Sequence, residues 1–187
     1  MEISKYLETV HLAERLKDAA RHCYTSGGKR ESVAEHSWRI SLMALLLRDE
    51  FPDADIDKII RMCIIHDLGE VFTGDIPTFL KTDSDEKTEA ELLSAWVNSL
   101  PSPYDAEFAA LYDEMARLET TEAKIYKALD GLEALISHNE SDLKTWSENE
   151  FSLNLTYSDD KVAFSPYLTS LRELIRSETK NKIKSAE

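Results

Sequence analysis

The sequence predicts an all-α fold, a single helical bundle spanning residues 1–187 with its core at about 5–140 and a last helix at about 166–180. Three observations carry this. Apolar residues recur at offsets of three, four and seven through most of the chain. Helix-start signals open several of these stretches. Strand signals are almost absent, because no segment alternates polar and apolar residues with β-branched enrichment between turns. The chain has 187 residues, enough for one domain to bury a core without staples.

The first helix is expected over about 3–20, with Leu7, Val10, Leu12 and Leu16 facing the core. It ends in Arg21-His22-Cys23-Tyr24, and Thr25 to Arg30 then reads as a flexible cationic loop around Gly27-Gly28. Ser32-Val33-Ala34-Glu35 is a capping box that opens a helix to about 48. In it His36, Ile40, Met43 and Leu47 share one stripe, so the histidine faces inward. A third helix starts near 53–55 and carries Ile56, Ile60, Cys63 and Asp67 at the same offsets. His66 lies beside them, and Gly69 is placed as the C-cap. Cys63 reads as a small core residue.

Beyond a loop over 70–81, helices are expected at about 84–100, stopped by Pro101 and Pro103, at 105–118, and at 120–138. The last of these has Ile125, Leu129, Leu132 and Ile136 as its stripe, with Asp130 beside it. Gly131 follows; a glycine there costs about 1 kcal/mol relative to alanine, which points to close packing. Residues 140–165 read as polar and irregular, with a short helix at about 143–148, and a charged, fraying tail follows the final helix.

The formal net charge is −14, which argues against a polynucleotide partner, since such binding rests on Lys and Arg neutralising phosphates. No apolar run reaches the roughly 20 residues of a membrane span, and the N-terminus has no apolar signal core. The expected location is the cytoplasm, which suits two cysteines too few for a disulfide framework.

A buried carboxylate at a helix C-terminus loses solvation and meets the negative end of the dipole, so Asp67 after His66 calls for a cation. Alone, His66-Asp67 could be a structural pair, His36 a satisfied core histidine and Asp130 a surface acid. Together they offer two imidazoles and two carboxylates on helices, a set suited to a divalent ion with positions left open. Such mixed ligands accept Mn²⁺, Co²⁺, Fe²⁺, Zn²⁺ or Mg²⁺.

Ser32 to Ser37, then His66-Asp67, then Asp130, resembles the His…His-Asp…Asp pattern of the HD-domain metal-dependent phosphohydrolases. Glu70 to Thr78 and Lys124 to Glu133 are similar to the 5′-deoxynucleotidase branch, and the resemblance covers about 10–138. It implies His36, His66, Asp67 and Asp130 as metal ligands. It implies Glu70 and Asp75 as the carboxylates that orient and deprotonate the attacking water. Arg21, fifteen residues before His36, would orient the phosphate. Asp75, Ile76, Pro77 and Thr78 would line the substrate pocket, next to His36, Asp67 and Asp130. His22 and Tyr24 stand where the family pattern has a tryptophan, and His22 is taken as a substrate contact. Lys81, and Lys29 or Arg30, are further candidates for the phosphate, with solvated surface charge as the competing reading.

No histidine lies between Asp67 and Asp130, where two-metal relatives carry extra ones, so a single ion is expected. His11 and His138 read as surface or structural. The implied activity is hydrolysis of (deoxy)nucleoside 5′-monophosphates by a homodimer. The alternatives are another small phosphate ester as substrate, or a binding module that keeps the fold without turnover.

Overall fold

The structure, a computed structural model, describes residues 1–185. It is helical apart from one hairpin. In order, the chain forms α1 (Ile3–Glu14), β1 (Ala20–Tyr24), β2 (Arg30–Ser32), α2 (Val33–Leu46) and α3 (Ile56–Ile65). There follow α4 (Glu70–Thr73), α5 (Asp83–Asn98), α6 (Tyr104–Arg117), α7 (Thr121–Glu140), α8 (Glu150–Leu153), α9 (Asp159–Val162) and α10 (Pro166–Lys184).

α2, α3 and α7 form the centre. Ile40 and Ala44, then Ile59, Met62 and Cys63, then Ile125, Leu129 and Leu132 are all buried in one cluster. Burying each Ile, Leu or Met side chain contributes about 1.5–3 kcal/mol. The helix starts follow the sequence signals. Ser32 accepts from the Glu35 amide while Glu35 reaches back to Ser32. Asp55 caps α3 through the Lys58 amide at 2.9 Å, and Thr120 caps α7.

The N-terminal region differs from expectation. α1 ends at Glu14, a 3₁₀ turn takes Arg15–Lys17, and Arg21 to Tyr24 lie on a strand paired antiparallel with β2. Gly27-Gly28 is therefore a hairpin turn, with Gly28 at φ 82°, rather than a loose loop. Leu7 and Val10 are exposed, since α1 packs at the periphery, and only Leu16 is buried, against Val33 and Val71.

Gly69 does not cap α3. The helix ends at Ile65, His66 is its C-cap, and Gly69 has φ −59° just before α4. Its lack of a side chain serves packing, because a Cβ there would lie 2.9 Å from Glu89 Cγ. His66 and Asp67 thus sit in the turn between α3 and α4 rather than in the last turn of α3. At Gly131 the expected close packing is present: a Cβ would meet Ser158 Oγ at 1.8 Å.

Residues 140–165 are less irregular than expected, since a 3₁₀ turn, α8 and α9 fold this segment back onto α7. α10 continues to Lys184, tied at Thr179, whose hydroxyl lies 2.9 Å from Asn139 Oδ1, and the end of the charged tail, 186–187, lies outside the described residues. Among the described residues, no helix is long and apolar enough to cross a membrane.

Candidate metal centre and active site

α2, the α3–α4 turn and α7 bring His36, His66, Asp67 and Asp130 to one point. His66 Nε2 lies 2.9 Å from Asp67 Oδ2, and His36 Nε2 lies 3.2 Å from Asp130 Oδ1. The cross distances, His36 to Asp67 and His66 to Asp130, are both 3.9 Å. The opposite ring nitrogens are fixed from behind. His36 Nδ1 donates to Glu133 Oε2 at 2.5 Å, and His66 Nδ1 donates to the Cys63 carbonyl at 2.9 Å.

Those two bonds set the tautomer, so each Nε2 presents a lone pair toward the carboxylates. Both Nε2 atoms are buried and have no hydrogen-bond partner. Four lone-pair atoms therefore face one another, an arrangement that a cation stabilises. Neighbouring ligands on an ion with bonds of about 2.1 Å lie roughly 3.0–3.4 Å apart; the His36–Asp130 distance falls in that range and the His66–Asp67 distance just below it. His36, His66 and Asp67 also form a compact potential ligand group, with Asp130 on its far edge. The residues fit a borderline divalent ion.

The electrostatics agree. Burial and Arg21 oppose charge on His36, yet Asp130 and Glu133 push its pKa up to about 10, a sign that this spot calls for positive charge. Burial works against ionisation of Asp67, but His66 and His36 hold it down at about 2. Asp130 is likewise held well below its ordinary value, against burial, by Lys127, whose Nζ is 2.8 Å away, and by the two imidazoles.

A cavity of about 370 Å³ opens over this cluster, and Arg21, His22, Asp67, Glu70, Asp75 and Asp130 all line it. Ile76, Pro77, Thr78 and Lys81 do so as well. His36 and His66 are buried against the two aspartates. Glu70 Oε2 has no partner. Burial, then Asp67 and Asp75, raise the Glu70 carboxyl to about 9, and burial raises Asp75 as well. The Arg21 guanidinium is 3.2 Å from Glu31 through Nε and 3.8 Å from Asp67 through Nη1. Lys81 reaches Glu89 at 2.8 Å.

Two candidates are not brought in. Lys29 pairs with Glu35, and Arg30 donates to the Arg21 carbonyl, both on the outer side of the hairpin. The competing reading of surface charge holds for them. His138 is structural, bonded to Glu150 at 2.5 Å and to the Ala134 carbonyl at 2.8 Å at the edge of the cavity, and His11 is exposed, as expected. Tyr24 does not line the cavity, so of the pair at the tryptophan position only His22 reaches it.

Sequence reasoning missed the support behind His36. Glu133 accepts from His36 and, at 2.7 Å, from Arg39 Nε, while Ser137 Oγ lies 2.9 Å from Glu133 and 3.1 Å from Glu31. His36 holds the Glu133 carboxyl at about 2 against the effect of burial. The available signal was spacing: Glu133 and Ser137 stand three and seven residues beyond Asp130 on α7.

The profile of the HD domain family matches residues 13–171. The 5′-deoxynucleotidase HDDC2 of Bos taurus is 30% identical over 138 residues, 72% of this chain and 66% of that protein. The chain thus spans about two thirds of the bovine relative's length. The 5′-deoxynucleotidase HDDC2 of Dictyostelium discoideum is 27% identical over 190 residues, 95% of this chain and 100% of that one. A crystal structure from Magnetospirillum magnetotacticum, described as a predicted metal-dependent phosphohydrolase, superposes with a TM-score of 0.78 at 27% identity, covering 96% of each chain. With its two-histidine, two-aspartate cluster built on α2, the α3–α4 turn and α7, the chain belongs to the HD domain family.

Proposed function

We propose that the protein is a divalent-metal-dependent phosphomonoesterase that converts deoxynucleoside 5′-monophosphates to nucleoside and phosphate. The observation that carries this reading is the pair of orphaned, buried imidazole nitrogens facing Asp67 and Asp130 beneath a cavity that also holds Arg21, Glu70 and Asp75. The relatives named 5′-deoxynucleotidase supply the substrate class.

His36, His66, Asp67 and Asp130 would hold the ion, which supplies Lewis acidity to phosphoryl oxygen and lowers the pKa of water toward about 7. Arg21 binds the phosphate oxygens, a planar fork suited to two at once. Glu70 takes the proton of the attacking water as oxygen bonds to phosphorus. The phosphorus–oxygen bond to the 5′ carbon breaks, and Glu70 or Asp75 returns a proton to that oxygen. A carboxyl poised near neutrality is efficient in both directions. Burial and neighbouring acids put Glu70 above that range, and an adjacent divalent charge opposes the shift.

Metal-stripped protein should be inactive, and adding back Mn²⁺, Co²⁺, Fe²⁺, Zn²⁺ or Mg²⁺ should restore phosphate release from 5′-monophosphates. A panel of 5′- and 3′-mono-, di- and triphosphates tests this. Release from none of the 5′-monophosphates would sink the proposal.

We also take the working form to be a cytoplasmic homodimer. Both cysteines are free, and α2 exposes Trp38, Leu42 and Leu46 along its outer side. Contiguous exposed apolar surface marks interaction sites. Sedimentation equilibrium should give twice the chain mass, and Trp38→Glu with Leu42→Glu should give monomers; a wild-type monomer refutes the dimer.

A further inference from the structure

Glu150, Leu153, Asn154, Tyr157 and Lys161 stand at offsets of three, four, seven and eleven, a helical stripe in a region that no motif covers. All five line the cavity, on the wall formed by α8, α9 and the turn between them. This wall is tethered at three points. Glu150 receives His138 Nε2 at 2.5 Å and lies 3.3 Å from His22 Nε2. Arg172 of α10, 1% exposed, donates from Nε to the Tyr157 carbonyl at 2.9 Å and from Nη2 to the Asn154 carbonyl at 3.1 Å. Ser158 sits against Gly131, one residue from Asp130.

Asn154 stands out on this wall. It is 4% exposed, and its side-chain Nδ2 has no hydrogen-bond partner. Buried polar groups are almost always paired, so an orphaned amide beside a cavity points to a ligand that completes it. An amide offers a donor and an acceptor in one plane, the pattern that matches the edge of a nucleobase. It is poorly matched to phosphate, for which the same cavity offers Arg21 and the four-residue cluster. Leu153 and Tyr157 line the same cavity and add apolar surface suited to the faces of a ring. A cavity of about 370 Å³ is of the size that takes a small ligand whole.

We propose that the 150–161 wall is the nucleobase-recognition surface of this enzyme and that Asn154 hydrogen-bonds the base edge. The inference rests on the phosphomonoesterase reading above and adds to it the group that distinguishes a nucleotide from a bare sugar phosphate.

The test compares deoxynucleoside 5′-monophosphates with 2-deoxyribose 5-phosphate, which has the same sugar and phosphate and no base. Asn154→Ala should lower kcat/KM for the nucleotides roughly tenfold or more, mainly through KM. It should leave 2-deoxyribose 5-phosphate within about twofold of wild type. Asn154→Asp keeps the shape and removes the donors. It should penalise dAMP, dCMP and dTMP alike, because each base edge offers an acceptor that only the amide nitrogen can meet, and spare 2-deoxyribose 5-phosphate; this arm decides if the alanine variant fails to fold. An equal fall on both substrate kinds, or no change on either, overturns base recognition alone. Failure of the wild-type enzyme on both kinds overturns the phosphomonoesterase reading, and base recognition with it.

Discussion

Asp67→Ala is expected to leave a folded protein that retains no divalent ion and has lost at least about three orders of magnitude in kcat/KM, the several kcal/mol that such an ion contributes to phosphoryl chemistry. The carboxylate is 2.9 Å from His66 Nε2 and 3.9 Å from His36 Nε2. Its removal leaves two imidazoles and Asp130, a weaker and more open set. The fold should survive, because Asp67 lies in a turn and takes no part in the apolar cluster on α2, α3 and α7. Metal content after dialysis, read by mass spectrometry beside circular dichroism, decides it. A variant that keeps one equivalent of metal and normal turnover refutes Asp67 as a ligand.

Glu70→Gln should separate binding from chemistry. Glu70 lines the cavity but stands outside the four-residue cluster, so the variant should bind metal like wild type while kcat falls about 10²- to 10⁴-fold, the usual contribution of a positioned general base. The metal-free protein offers a second readout. Burial, Asp67 and Asp75 raise the folded-state carboxyl from 4.5 to about 9. Between those values the native state holds a proton that the unfolded chain has released. Stability from this group is therefore complete below about 4.5 and is lost as pH rises toward 9. Glutamine cannot ionise, so the metal-free variant should melt higher than wild type at pH 8 and at the same temperature near pH 4.5. Equal melting at both pH values would show that Glu70 is ionised and unstrained in the metal-free state. Full turnover would remove it from the mechanism.

The cluster was legible because its ligands obey helix periodicity. His36 shares the α2 stripe with Ile40 and Asp130 stands beside the α7 stripe, while the apolar run of α3 led to His66-Asp67 although the pair itself lies in the turn that follows. The hairpin was not legible. β1 has five residues, includes Arg21 and His22, and buries only Cys23 fully, so it never shows a two-residue alternation. Its position depends on packing against α7, which no local signal reports. Gly69 misled for a related reason: glycine after an apolar helix reads as a cap, whereas here the missing side chain makes room for Glu89. Glu31, Arg39 and Glu133 look like any surface charges in the sequence, and only the assembled bundle shows Glu31 paired with Arg21 and Glu133 with Arg39 behind His36. The 150–161 wall kept a helical spacing, but its polar composition hid which side faced inward.

The guanidinium of Arg172 has a consequence for the order in which the molecule acquires its parts. The proposed ligands are all present in the chain once Asp130 has been made, and α7 is finished ten residues later at Glu140. The carbonyls of Asn154 and Tyr157 find their anchor only at Arg172 of α10, 18 and 15 residues further on. Synthesis runs from the N-terminus, so the anchor of the far wall is made after every residue that lines the cavity. A chain without α10 would thus carry every proposed ligand but not the guanidinium that holds the carbonyls of the 150–161 wall in place.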